Sequence, residues 1–150
     1  MSAPLSVKLG LKPGSKWSLY NSPPSFVDGL VPLPAGCTVT EGQDLGADGR
    51  IVFALEQVTF QELFLQAFAG LGVKDVLWIA WPKKSSNVPT DMSFEVVQSL
   101  ALSRRLVDNK VCAIDDVWTA LRFVVTVQAR ANWKRPGLPV DTESTEQVET

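Results

Sequence analysis

Histidine is absent from this 150-residue sequence, and cysteine occurs only twice. Without histidine, the chain cannot assemble a Ser-His-Asp or Cys-His catalytic group, and it lacks the usual imidazole ligands for zinc or non-haem iron. Cys37 and Cys112 each fall in a separate apolar stretch, so they predict neither a disulfide framework nor a metal set. We therefore expect no metal site, and any chemistry must use carboxylates, lysines, hydroxyls or a cofactor.

Long apolar runs are also missing, although hydrophobic residues make up 45% of the chain. No run approaches the roughly 18 residues that a membrane-spanning helix needs, and no basic segment followed by an apolar stretch marks a secretory signal. The sequence therefore predicts a soluble, cytoplasmic protein without a membrane partner. The net charge of −2 includes an acidic C-terminal run, so the remaining body is close to neutral. A near-neutral body predicts no nucleic-acid binding, which requires a basic face.

The hydrophobic pattern of residues 51–81 predicts a strand, a helix and a second strand. Residues 51–55 and 76–81 are continuous apolar runs, which are typical of strands covered on both faces. Between them, apolar residues recur every three or four positions, as on one face of a helix. Such a unit crosses over right-handedly and indicates a parallel sheet.

Further strands are indicated on both sides of this unit. Residues 16–21 and 37–41 predict two strands before it, and residues 110–114 and 120–127 predict two strands near the end. The connection between the last two is too short for a crossover helix, so they should form an antiparallel hairpin. The expected fold is a single three-layer Rossmann-like α/β domain, with a mostly parallel sheet of about six strands that closes with an antiparallel C-terminal hairpin.

Residues 128–150 differ in composition from the rest of the chain. They contain prolines, Gly137 and an acidic run with few apolar residues, which predicts disorder. We therefore expect a Rossmann-like domain over residues 1–127 and a disordered acidic tail over residues 128–150. Trp133 is an exception within the tail, and it provides a candidate contact for a protein partner.

In open α/β sheets, ligands bind beyond the carboxyl ends of the parallel strands. The predicted hairpin can have either of two orientations, and only one of them places its turn at this edge. The turn residues are candidates for ligand binding in that orientation alone. The candidate ligand-binding residues follow the strand ends and comprise Asn21, Ser22, Glu41, Glu56, Trp81, Lys83, Lys84, Ser85, Asp115 and Trp118.

The loop after the strand at residues 76–81 contains Lys83, Lys84 and Ser85, and a helix should begin at Thr90 or Asp91. Cations, a hydroxyl and free amides at a helix start are the parts of an anion site. The glycine spacing of a phosphate-binding loop is missing, so a solvated loop is the alternative.

Two other features allow both a functional and a structural interpretation. Trp81 either packs in the core or forms the wall of a pocket that stacks on a ring. Asp115 and Asp116 either act as an acid–base pair or Mg²⁺ ligands, or simply connect the two strands of the hairpin.

The order of the predicted elements resembles the second half of class I S-adenosylmethionine-dependent methyltransferases, whose Rossmann-like sheet ends in a reversed strand. Three blocks, at residues 8–14, 77–91 and 107–124, also resemble an uncharacterised bacterial family, the domain-of-unknown-function family numbered three thousand fifty-two. Its most specific runs here are Trp-Pro-Lys-Lys-Ser at residues 81–85 and Lys-Val-Cys-Ala-Ile-Asp at residues 110–115. This family resemblance implies a fold but no established activity.

The methyltransferase resemblance implies S-adenosylmethionine as a possible cofactor. Such enzymes have a glycine-rich turn after the first strand, whereas this chain has Asn-Ser-Pro-Pro-Ser at residues 21–25. Glu41 follows the second strand, where those enzymes place a carboxylate for the ribose hydroxyls. A surface glutamate with no ligand is the alternative.

Three functions are consistent with the sequence. The first is a methyltransferase-like domain without an intact cofactor motif that binds a small anionic or nucleotide-like ligand. The second is a protein-interaction or regulatory domain that works through the hairpin edge or the tail. The third is an active S-adenosylmethionine-dependent transferase with Glu56, Lys83 or Asp115 as acid or base. The sequence does not decide whether the protein is an enzyme.

Overall fold

A computed structural model describes residues 4–137 and shows an α/β fold built on one six-stranded sheet. The strands are β1 Lys16–Tyr20, β2 Thr38–Glu41, β3 Gly49–Phe53, β4 Val76–Pro82, β5 Leu106–Ala113 and β6 Trp118–Val125. The helices are α1 Leu5–Leu9, α2 Phe26–Leu30, α3 Gln57–Phe68, α4 Phe94–Ser103 and α5 Val127–Arg130, and a 3₁₀ turn covers Lys84–Ser86.

The strands lie in the order β2-β1-β3-β4-β6-β5. Strands β1 to β4 pair in parallel, whereas β6 runs antiparallel to both of its neighbours, β4 and β5. This arrangement confirms the predicted fold class, a mostly parallel sheet that closes with an antiparallel C-terminal hairpin. The strand order reverses between β1 and β3, because the chain passes from β1 outward to β2 and then returns to the other side of β1.

Helices cover both faces of the sheet and give the molecule three layers. On one face, apolar residues of α3 and α4, such as Phe64 and Val97, pack against the sheet. On the other face, Leu9 of α1 and Leu30 of α2 do the same. Strand β3 is fully buried and β4 almost so, because each is covered from both sides. No helix in residues 4–137 is long and apolar enough to cross a membrane.

One edge of the sheet gathers the C-terminal ends of β1 to β5 and the N-terminal end of β6, and we call it the carboxyl edge. The turn between β5 and β6 lies there, since Pro82 at the end of β4 pairs with Trp118 at the start of β6. The backbone N–H of Lys83 also donates to the carbonyl of Val117 at 2.8 Å. The structure thus resolves the orientation of the hairpin turn that the sequence left open.

Residues 127–137 cross the opposite ends of the strands, which we call the amino edge. Within this segment, Trp133 packs edge-on against Phe68 with ring centroids 6.0 Å apart, and its Nε1–H donates to the carbonyl of Leu71 at 2.8 Å. Part of the predicted tail thus contacts the body, through Trp133 and through hydrogen bonds that join Arg135 and Pro136 to Gly70. The rest of the predicted tail, residues 138–150, lies outside the described residues.

Candidate functional site

The loop after β1 is held by the carboxylate of Glu41, which ends β2. The backbone N–H groups of Asn21 and Ser22 donate to Glu41 Oε2 at 2.8 and 3.4 Å. The Ser22 hydroxyl donates to Glu41 Oε1 at 2.6 Å. Both oxygens of the carboxylate that the methyltransferase resemblance assigns to ribose hydroxyls are thus engaged by the chain itself.

The crevice where the strand order reverses is bridged by Asn21. Its backbone adopts a left-handed conformation with φ of 61°, and its side-chain amide donates to the carbonyl of Phe53 at 3.0 Å. Pro23 and Pro24 follow and supply no backbone N–H groups. The position at which open α/β sheets usually bind a cofactor therefore has few free donors in this chain.

We expect Glu41→Ala and Ser22→Ala to be energetically coupled. Each variant alone removes the hydrogen bond between the Ser22 hydroxyl and the Glu41 carboxylate, so the second change should add less than it does alone. A double-mutant cycle by urea unfolding should give a coupling energy of about 0.5–1 kcal/mol. Strict additivity of the two effects would show that this bond does not form in solution.

Asp91, in the loop before α4, interacts with the start of α3 and not with the start of α4. The prediction that Thr90 or Asp91 starts α4 is wrong, because α4 begins at Phe94 and Ser93 is its cap, accepting from Val96 N–H at 3.2 Å. Asp91 instead accepts a hydrogen bond from the N–H of Gln57 at 2.7 Å, at the start of α3. Spacing along the chain could not reveal this contact, since it joins loops that follow two different strands.

Glu56 directly precedes α3 and is exposed. It lines a shallow pocket of about 390 Å³ together with Val58 and the segment 89–91. Thr90, which lines this pocket, donates a hydrogen bond from its hydroxyl to the carbonyl of Leu55 at 2.5 Å. Glu56 is the only predicted ligand-binding residue among the described residues that line this pocket.

Three other predicted residues meet at the end of β4. Trp81 is buried in the core, and with Lys83 and Lys84 it lines a pocket of about 360 Å³ beside the first turn of α4. Ser93 already caps that helix, and Glu95 adds a carboxylate to the same turn. These two groups take the place of an anion at the helix start, which disfavours the predicted anion site. Ser85 is exposed in the 3₁₀ turn and does not line this pocket.

A smaller pocket of about 240 Å³ lies between α2 and the turn of the β5–β6 hairpin, and we call it the rim pocket. Of the predicted site residues, the rim pocket contains Asp115 and Trp118. The residues that line it are Leu5, Pro23, Ser25, Phe26, Gly29, Ile114, Asp115 and Trp118.

Aromatic rings form the apolar wall of the rim pocket. Phe53 contacts Phe26 edge-on with centroids 4.8 Å apart, and it contacts Trp118 edge-on with centroids 5.2 Å apart. Phe53 is fully buried, so it fixes the positions of the two rings that line the pocket. This arrangement presents a rigid aromatic surface to a ligand.

Two polar side chains complete the rim pocket. Asp115 Oδ1 accepts from the N–H groups of Val117 and Trp118, each at 2.8 Å, which fixes the carboxylate in the turn. Among the described residues, nothing donates to its second oxygen. Ser25 precedes α2, and its hydroxyl makes no capping hydrogen bond. The pocket therefore offers a carboxylate oxygen and a hydroxyl beside aromatic rings.

Sequence reasoning missed most of the rim pocket. Leu5 and Gly29 belong to two short helices, α1 and α2, whose five residues each show too little periodicity for a confident prediction. In the sequence, the only signal at Gly29 is a glycine within a short helix. In the structure, a Cβ added at Gly29 would meet no atom within 4 Å. The open space beside it is the pocket itself.

The remaining candidate chemical groups are poorly suited to catalysis. Burial raises the pKa of the Cys112 thiol, which Lys8 and Lys110 counteract in part, so the thiol stays protonated at neutral pH. Cys37 is also buried. No set of three carboxylate, cysteine or histidine side chains within residues 4–137 comes close enough to hold a metal ion.

Comparison with solved structures identifies the fold. The structure is similar to that of a possible exported protein from Bordetella parapertussis, with a TM-score of 0.52 at 8% identity over 81% of this chain and 65% of that one. It is also similar to TrmK, a tRNA methyltransferase from B. subtilis, with a TM-score of 0.50 at 10% identity over 87% of this chain and 69% of that one. The chain thus spans slightly under two thirds of the first protein. Its α/β fold is similar to that of the methyltransferase TrmK.

These identities establish a likeness of fold alone. No family model matches the chain, and no curated protein matches its sequence. The resemblance to the family of unknown function therefore stays a prediction.

Proposed function

We propose that the protein binds a small nucleoside-like ligand in the rim pocket. The observation that carries this proposal is the combination of an aromatic wall, from Phe26 and Trp118, with the free oxygen of Asp115 at the carboxyl edge. A planar base packs on the rings, and its amino group donates to the carboxylate. A volume of about 240 Å³ is below the roughly 300–1,000 Å³ typical of pockets for larger ligands, so it suits a single ring system.

The charge of the carboxyl edge narrows the class of ligand. Two cations there, Lys83 and Lys84, line a different pocket. Carboxylates outnumber them around the strand ends, and a ligand with net negative charge would be repelled. This favours the nucleotide-like alternative over a purely anionic one, with the phosphate absent or turned to solvent. The carboxylates are Glu41, Glu56, Asp91, Glu95, Asp115 and Asp116.

A ligand in the rim pocket would lie outside the crevice in which methyltransferases usually bind their cofactor. Asn21, Ser22 and Glu41 bond to one another there, which supports ligand binding on the hairpin side instead. We further propose membership of the uncharacterised bacterial family, on the motifs at residues 81–85 and 110–115. A cytoplasmic location fits the two free, buried cysteines.

Calorimetric titration of the protein with adenosine tests the proposal. Asp115→Asn should weaken adenosine binding about tenfold, because it removes a charge-assisted hydrogen bond but keeps Oδ1 to accept from the turn. Asp116→Asn is the matched control and should bind as the unmodified protein does, since Asp116 does not line the pocket. Equal affinities of the two variants would contradict the role of Asp115.

A second variant fills the pocket without disturbing the fold. Gly29→Leu should abolish adenosine binding. Gly29→Ala should still bind adenosine, no more tightly than the unmodified protein, and should unfold at a slightly higher temperature. S-adenosylmethionine should bind no more tightly than adenosine, because the proposed site recognises the ring. Tight S-adenosylmethionine binding that survives Gly29→Leu would instead support the usual cofactor crevice.

A further inference from the structure

Cations are concentrated at the amino edge of the sheet, on the side of the molecule opposite the rim pocket. One pocket of about 300 Å³ is lined by Arg104, Arg105 and Lys134 together with Trp133. A second pocket there, of about 460 Å³, is lined by Lys74 and Arg130 together with Asp75. The segment 127–137 separates the two pockets and supplies residues to both.

Contacts of this segment with the body hold several of these cations in place. The Arg105 guanidinium lies 5.3 Å from the centre of the Trp133 ring, and Trp133 is anchored to the body through Leu71. Two residues further on, Arg135 donates to the carbonyl of Gly70 at 2.6 Å and is 63% exposed. The segment therefore fixes cations at defined positions. We call Lys74, Arg104, Arg105, Arg130, Lys134 and Arg135 the amino-edge patch.

Little of this positive charge is neutralised. Within residues 4–137, the ion pairs join Asp75 to Arg135 and to the buried Arg50. One carboxylate thus serves two arginines, and the remaining cations of the patch pair with no carboxylate of the described chain. The near-neutral total charge does not reveal this surface, because it says nothing about where the cations lie. Asp48 and Asp75 also lie at the amino edge, but only Asp75 forms an ion pair with the patch within the described residues.

We propose that the amino-edge patch binds the phosphate backbone of a nucleic acid. Four of its six cations are arginines, whose planar guanidinium groups suit bidentate contacts with phosphate. Pockets on either side of the segment 127–137 place these cations along a track instead of at one point, as a chain of phosphates requires. This replaces the expectation, drawn from total charge alone, that the protein avoids nucleic acid.

Fluorescence anisotropy with a labelled single-stranded RNA of mixed sequence tests the proposal on the full 150-residue chain. The logarithm of the association constant should fall with the logarithm of salt concentration with a slope of about −3, as for about four phosphate contacts. The double variant Lys74→Glu with Lys134→Glu should weaken binding about tenfold at low salt and reduce this slope.

The double variant Lys83→Glu with Lys84→Glu is the matched control. It makes the same change in net charge at the carboxyl edge and should bind RNA nearly as well as the unmodified protein. Equal loss in both variants, or no loss in the patch variant at an unchanged unfolding temperature, would overturn the assignment. Displacement of the RNA by polyglutamate as readily as by unlabelled RNA would also overturn it, since the patch would then be a site for an acidic protein.

Discussion

Asp75→Asn is expected to lower the free energy of unfolding by about 3 kcal/mol, measured by urea denaturation. Asp75 Oδ2 lies 3.2 Å from Nη1 of Arg50, whose side chain is completely buried. The same oxygen accepts from the N–H of Gly72 at 2.6 Å. Removing the carboxylate charge leaves a buried guanidinium without its counter-charge, which is far more costly than the loss of a surface pair.

Arg135→Gln provides the control for this prediction. Arg135 also contacts Asp75, at 3.7 Å, but its side chain is 63% exposed, so its loss should cost well under 1 kcal/mol. The combination of Arg50→Met with Asp75→Asn should recover part of the stability, because no charge is then buried. A small effect of Asp75→Asn alone would mean that water reaches Arg50.

Trp133→Ala is expected to lower the free energy of unfolding by about 2 kcal/mol. The indole ring is half-buried against Phe68, its N–H donates to Leu71, and Arg105 covers its face. Truncation of a buried tryptophan typically costs about 3–5 kcal/mol, and the partial exposure of this one reduces the expected value. The measurement is again urea denaturation of the full chain.

Trp133→Phe should cost only about 1 kcal/mol, because it keeps the ring contact with Phe68 and loses the hydrogen bond to Leu71. The two variants together test whether residues 128–137 belong to the folded body. An unchanged stability of Trp133→Ala would show that this segment does not dock and would restore the domain boundary at residue 127.

The elements that could be predicted from sequence are those with long, regular patterns. Residues 51–55 and 76–81 are apolar throughout because β3 and β4 are covered on both faces, and the short connection after β5 requires an antiparallel hairpin. Helix α1 left no such pattern. The anchoring of Trp133 was equally hidden, since its partners Phe68 and Leu71 lie some sixty residues earlier.

The candidate site was predictable only as an edge of the sheet. The rule that ligands bind beyond strand ends selected Asp115 and Trp118, which the fold brings together. It also selected Glu41, but the hydrogen bonds that engage Glu41 come from a loop twenty residues away. Contacts between loops depend on the order of strands across the sheet, which the sequence does not state.

Titration of the isotopically labelled protein with adenosine, followed by two-dimensional NMR of its backbone amides, tests the proposed ligand site most directly. If adenosine binds in the rim pocket, saturable shifts are expected in residues 25–29 and 114–118, which surround it. Shifts centred on Asn21, Ser22 and Glu41 would place the ligand in the usual cofactor crevice. Those shifts, or no saturable shifts at all at millimolar adenosine, would contradict the proposal.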